Sequence, residues 1–199
     1  MKNTYLALLA VAGALTASCA STSSQAAPMD EQAMMAKWME YSMPGEAHKM
    51  LEHKVGYWKL KVRMFNPDGS SAGESDATSE CAWVMDGRFV EEKTTGTFSG
   101  MPFLGRGMSG FDNIKQRYIG SWVDNMGTGM MTFEGSYDPA TKTITYKGQG
   151  PDPMAWEYVP TRSMETMIDE DHAVMKSYAK GPEGKDYLQM QIDYTRTTR

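Results

Sequence analysis

Gly56-Tyr57-Trp58-Lys59-Leu60-Lys61-Val62-Arg63-Met64 decides the fold of this chain. Trp58, Leu60, Val62 and Met64 alternate with Lys59, Lys61 and Arg63, the period-two pattern of a strand with one face buried. Asn66-Pro67-Asp68-Gly69 ends it with turn chemistry. The far end of the chain answers it: Leu188, Met190, Ile192 and Tyr194 share a face with Arg196, while Gln189, Gln191 and Asp193 take the other. In a closed up-and-down antiparallel barrel the first and last strands are neighbours, so Arg196 can stack its guanidinium on the Trp58 indole and plug the floor. An arginine continuing an apolar face needs such a partner, because an unpaired buried charge is costly. The other reading is that Arg196 reaches solvent at a frayed strand end.

Between these two strands the pattern predicts eight more, near residues 74–85, 88–98, 105–111, 118–124, 129–137, 143–148, 156–168 and 173–179, with the last strand over 187–197. Asp86-Gly87, Asp112-Asn113, Asn125 to Gly127, Asp138-Pro139 and Gly181 to Gly184 punctuate them. About ten short antiparallel strands at near-regular spacing specify an all-β sandwich or barrel. The glycines of the middle strands, Gly105 and Gly107 among them, have no strand–loop–helix succession around them and read as turns and bulges, not as a phosphate loop.

Upstream of Gly56 the period is helical. Residues 30–54 form two pieces split at Pro44-Gly45, with Met34, Trp38 and Tyr41 at i, i+4, i+7 and Met35, Met39 and Met43 beside them. Such an apolar face calls for something to cover, and the barrel end is the expected surface. Further upstream, Lys2 and the apolar run Leu6 to Leu15 make an export signal over residues 1–18. Leu15-Thr16-Ala17-Ser18-Cys19 resembles a bacterial lipobox, which makes Cys19 a lipidation site; cleavage after Ala20, Ala26 or Ala27 is the alternative. The chain thus divides into a signal (1–18), a flexible tether (19–29), a helical segment (30–54) and a barrel domain (55–199). The expected location is the periplasm, on the outer membrane if Cys19 carries the lipid anchor.

The sequence carries a net charge of -5, and residues 1–18 hold only Lys2 among the charges, so the exported chain is one unit more acidic. Nucleic acid and anionic membrane surfaces are therefore not the expected electrostatic partners. With Cys19 acylated, Cys81 has no disulfide partner and is expected as a buried thiol.

Gly56-Tyr57-Trp58 with Arg196 resembles the lipocalin and calycin signature. A longer set resembles the bacterial domain-of-unknown-function family 1579: His48 to Trp58, Met85-Asp86-Gly87-Arg88-Phe89-Val90, Gly100 to Gly105, Gly110-Phe111-Asp112-Asn113, Trp122 to Gly129, Gly135-Ser136-Tyr137-Asp138 and Asp152-Pro153. The resemblance implies a calycin-like barrel in proteins often exported and without an assigned activity. It supplies no catalytic residue. The Met-rich helix and Pro153-Met154-Ala155-Trp156 depart from that pattern.

No catalytic constellation stands out. There is no Gly-x-Ser-x-Gly elbow, and His48 and His53, at i and i+5, lie on different helix faces and do not make a zinc pair. His172 reads as exposed. No cofactor and no metal is expected, although nineteen methionines, with Met35, Met39 and Met43 at helical spacing, raise Cu(I) as a lesser alternative. The better account of the methionines is a deformable apolar interior suited to varied hydrophobic ligands. Glu91 and Glu92 face opposite sides of a strand, so only one can enter a cavity.

The function expected from these residues is binding of a small apolar or amphipathic ligand inside the barrel. Trp83, Trp122 and Trp156 are the candidate walls, and Arg88, Asp124 and Glu134 the candidate polar contacts. Asp124 and Asn125 also satisfy an Asx-type turn, the plainer reading, and Glu134 is the expected inward carboxylate. Two alternatives stand beside it: an envelope interaction module with a packed barrel, and an enzyme at the barrel mouth if Arg88, Asp124, Asn125 and Glu134 converge.

Overall fold

The computed structural model describes residues 30–199, so the signal, Cys19 and the tether lie outside the described residues. Ten antiparallel strands close into one up-and-down barrel in chain order: β1 (Gly56–Phe65), β2 (Ser71–Val84), β3 (Phe89–Phe98), β4 (Met101–Asp112), β5 (Arg117–Asp124), β6 (Met131–Asp138), β7 (Thr143–Asp152), β8 (Glu157–Met167), β9 (His172–Lys180) and β10 (Asp186–Thr197). β1 pairs with β10 through Trp58 opposite Arg196, Leu60 opposite Tyr194 and Val62 opposite Ile192, which closes the cylinder and leaves no free sheet edge. Along β1, Lys59, Lys61 and Arg63 point outward while Trp58, Leu60 and Val62 point inward.

Arg196 and Trp58 meet as their positions predict, with the guanidinium carbon 4.2 Å from the indole centroid. Three carbonyls outside the last strand fix the arginine: Nη1 donates to Val55 at 2.7 Å, Nη2 to His53 at 2.9 Å and Nε to Glu170 at 2.9 Å. Gly56, at φ +132°, has to be glycine because a Cβ there would lie 2.5 Å from the Arg196 Nη1.

Before β1 run α1 (Glu31–Ser42), α2 (Glu46–Lys49) and a 3-10 turn, Glu52–Lys54. Asp30 caps α1 by accepting from the Ala33 amide at 2.7 Å. The short second piece seals the barrel end, with Leu51 fully buried and His48 packed edge-on against Phe111. The first piece departs from expectation. No residue of α1 is buried, and within the described residues the side-chain bonds from the barrel reach its C-terminal end, where Asn113 Nδ2 donates to the Glu40, Tyr41 and Met43 carbonyls and Arg88 Nε donates to Ser42. The apolar face of α1 covers nothing within the described residues.

The middle-strand glycines are also corrected. Gly105, Gly107 and Gly120 sit within β4 and β5, where a Cβ on Gly105 would come 2.3 Å from the Trp122 ring and one on Gly120 would come 2.2 Å from Phe133. Their role is to clear space for inward aromatics, which strand periodicity does not reveal.

Candidate functional site

Cross-strand partners share a face, so the register sorts each side chain to the lumen or the exterior. At the sealed end Trp58, Leu60, Cys81, Val90, Tyr118, Ile144 and Tyr146 pack with Leu51 into the core. Toward the other end Phe103, Trp122, Met131, Phe133, Val159 and Met190 also face inward, yet each is only half-buried. Lumen-facing side chains are therefore fully buried at the sealed end and only half-buried toward the other.

Between these zones lies a polar floor, which the sequence reading did not find. The 3-10 turn delivers Lys54 into the barrel, where its Nζ donates to both carboxylate oxygens of Glu165 on β8 at 2.7 Å. His53 Nε2 lies 3.4 Å from the same carboxylate. Both charged side chains retain only 13% of their exposure. Burial alone would push the Glu165 carboxyl up, but the Lys54 charge and the bonds from His53 and Lys54 hold it well below the usual carboxylate range. Burial likewise opposes the Lys54 ammonium, and Glu165 outweighs it, with Tyr146 and Glu92 adding to the upward shift. The pair is ionised in the folded protein.

On the opposite wall, Glu92 is the member of the Glu91–Glu92 pair that enters the lumen; Glu91 stays outside with Lys93 and Arg106. Ser79 donates to Glu92 Oε1 at 2.9 Å and Thr94 to the same oxygen at 3.3 Å. Cys81 is buried and free, its thiol pushed up to about 12 by burial and by the Glu92 charge. Tyr194, facing the same space, has its hydroxyl held protonated by burial and by the Glu92 and Glu165 carboxylates. These groups surround a cavity of about 20 Å³ lined by His53, Lys54, Trp58, Glu92, Glu165 and Tyr194.

The residues expected to form the site fare unequally. Trp122 is a lumen wall, stacked on Phe103 with centroids 6.5 Å apart, and its Nε1 donates to Asp124 at 3.0 Å. Asp124 also accepts from the Met126 amide, and Asn125 bonds Leu104 and Pro102, so these two combine turn chemistry with a place at the open rim. Trp83 faces inward at the sealed end, where its Nε1 donates to Glu52 at 2.5 Å; it braces the plug and is not an upper-lumen wall.

Three candidates are corrected. Trp156 stands 89% exposed in the β7–β8 turn, at a positive φ. Arg88 is spent on the C-terminal end of α1 and on Met85. Glu134 faces outward, because it pairs with Ile119 and Lys147 on the outer surface, and is bonded to Lys115. The four residues that would have made a catalytic mouth are thus dispersed. Glu134 instead lines an open groove of about 790 Å³ on the outside of β5 to β7, shared with Lys115, Arg117 and Lys147. That groove lies on the outer face of the sheet and shares no lining residue with the floor cavity.

Across residues 43–196 the chain matches the family described as "Protein of unknown function (DUF1579)". It belongs to that family. Among curated proteins, none matches this DUF1579 chain. Among solved structures, the DUF1579 barrel is similar to the crystal structure of Rv2717c from M. tuberculosis, with a TM-score of 0.58, 14% identity, 78% of this chain and 99% of that chain covered. At that identity the likeness shows the fold alone. Two designed proteins also align: a fluorescence-activating β-barrel (TM-score 0.40, 16% identity, 73% of this chain and 95% of that one) and a redesigned β-barrel (TM-score 0.39, 14% identity, 78% and 99%).

Proposed function

We propose that this protein is an exported, Cys19-anchored envelope barrel that binds a small apolar or amphipathic molecule in its lumen. The observation that carries the proposal is the pairing of half-buried inward rings, Phe103, Trp122 and Phe133, with an ionised polar floor beneath them. An interior committed only to stability would fill its volume, because native cores pack to crystal-like density. Apolar rings left wet in a closed barrel favour an apolar guest, and a few convergent polar groups orient it. The methionines on the lumen face, Met131, Met175 and Met190, adapt to guests of varied shape. Native mass spectrometry of the protein purified from its own host tests this reading: a retained small molecule is expected, and an unshifted mass with a crystallographically filled interior overturns it.

A second reading is favoured by one observation. Met34, Met35, Trp38 and Met39 of α1 are exposed by 52%, 59%, 63% and 49%, a patch of apolar surface that monomers seldom present. On this reading α1 docks a protein partner in the envelope. A photo-crosslinker at position 38 is expected to trap one discrete partner in the host; crosslinks indistinguishable from those at an exposed barrel position such as Lys59 reject it.

A further inference from the structure

One carboxylate on the floor is left without an ion-pair partner among the described residues, and that selects a ligand chemistry. Lys54 is neutralised by Glu165, with both of its short bonds made to that one carboxylate. Glu92 has no ion-pair partner among the described residues; Ser79 and Thr94 both bond its Oε1, so neither reaches Oε2. Glu92 is thus the charged group of the floor that keeps a carboxylate oxygen unbonded by any described side chain. Glu92, itself half-buried, and Tyr194 both line the floor cavity. The cavity they line, about 20 Å³, has room for one water-sized group. A protonated amine is of that size, whereas a carboxylate or a phosphate is larger and would also face the unpaired charge of Glu92.

We infer that the floor takes the ammonium end of an alkyl amine, with Glu92 as its counter-charge and the alkyl body lying along the Trp122 and Phe133 side of the lumen. The inference rests on the lumen-binding reading above and gives it a ligand class. Trp58, with its ring already engaged by Arg196, and Tyr194, whose hydroxyl oxygen can accept a hydrogen bond, line the same cavity. A hydrogen bond to an ionised partner is worth about ten- to hundredfold in affinity over loss of that bond.

The test uses the full exported chain and three probes of one length: decylamine, decan-1-ol and decanoate, at equal ionic strength, followed by calorimetry. Decylamine is expected to bind at least about tenfold more tightly than decanol, with decanoate weakest. Glu92→Gln is expected to bring the amine to the level of the alcohol while leaving decanol binding intact, which also reports that the variant is folded. Glu134→Gln, on the outer surface, controls for the general acidity of the chain and is expected to change nothing. The wild-type ranking decides without any variant: decanol or decanoate binding as tightly as decylamine overturns the inference and leaves lumen binding standing. Failure of all three probes to bind removes both. A crystal structure of the decylamine complex is expected to place its nitrogen about 3 Å from Glu92 Oε2; a nitrogen at the rim beside Asp124 overturns the inference.

Discussion

Replacing Glu165 by glutamine isolates the energetics of the barrel floor. The Lys54–Glu165 pair is 13% exposed on each side and doubly bonded at 2.7 Å, so the substitution leaves an ammonium buried without its counter-charge. Breaking one side of such a pair costs about 3–5 kcal/mol, because the remaining ion keeps its desolvation penalty and loses the compensating attraction. For a domain of this size that lowers the unfolding midpoint by roughly 6–20 °C. The acid dependence has a definite sign. Glu165 is depressed below its ordinary value of 4.5 in the folded state, so its contribution is fully present above that value and is lost as pH falls toward the folded-state value. The gap in stability between wild type and Glu165→Gln is therefore constant at neutral pH and closes as the solution is acidified below about 4.5. The double variant Lys54→Met/Glu165→Leu removes both charges with little change of volume and is expected to recover most of the loss. Urea unfolding followed by tryptophan fluorescence at several pH values measures all three proteins. A single-variant cost under about 1 kcal/mol, the scale of an exposed pair, or a double variant no more stable than the single, refutes a buried and mutually dependent pair.

Three further outcomes are expected. Arg196→Lys loses the fork that bridges the Val55, His53 and Glu170 carbonyls and the stack on Trp58, and destabilises by at least about 2 kcal/mol in the same urea assay; a lysine that supports wild-type stability would show that charge alone suffices. Gly105→Ala drives a Cβ into the Trp122 ring, costs about 1–3 kcal/mol and changes the near-ultraviolet circular dichroism of the indole, whereas an unchanged tryptophan spectrum contradicts the close approach. With Cys19 replaced by serine so that a single thiol reports, Cys81 is expected to react with a disulfide reagent only as fast as the protein unfolds, since its thiol is buried and pushed up to about 12; rapid labelling of the native protein at pH 8 would overturn that.

Most of the barrel could be read directly. Strand alternation and Asn-, Asp- and Gly-rich turns act over a few residues, and the resulting ten segments coincide closely with β1 to β10. Trp58 and Arg196 were legible as a pair because closure makes terminal strands neighbours regardless of the sequence distance between them. The inward turn of Glu92 was half legible: alternation showed that one of Glu91 and Glu92 must enter, but not which. Glu134 and Arg88 were misplaced for different reasons. Met131, Phe133 and Tyr137 alternate with Glu134, so the period of two itself turns that carboxylate outward, where Lys115 meets it; Arg88 lies in the β2–β3 turn, where no period assigns a face, and only its bond to the Ser42 carbonyl shows where it goes.

Local periodicity by itself determined the strand count, the turns, the closure between β1 and β10 and the apolar character of the lumen. The floor was decided by tertiary structure alone: Lys54 and Glu165 stand 111 residues apart, and Cys81, Glu92 and Tyr194 come from three further strands. Side-chain direction along a strand follows from its period of two, a property of the backbone nearby, whereas the height of a residue inside the barrel depends on the stagger of every strand between it and its neighbours. That accumulated stagger brings Glu92 and Glu165 to one cavity, to which the 3-10 turn adds Lys54 and His53.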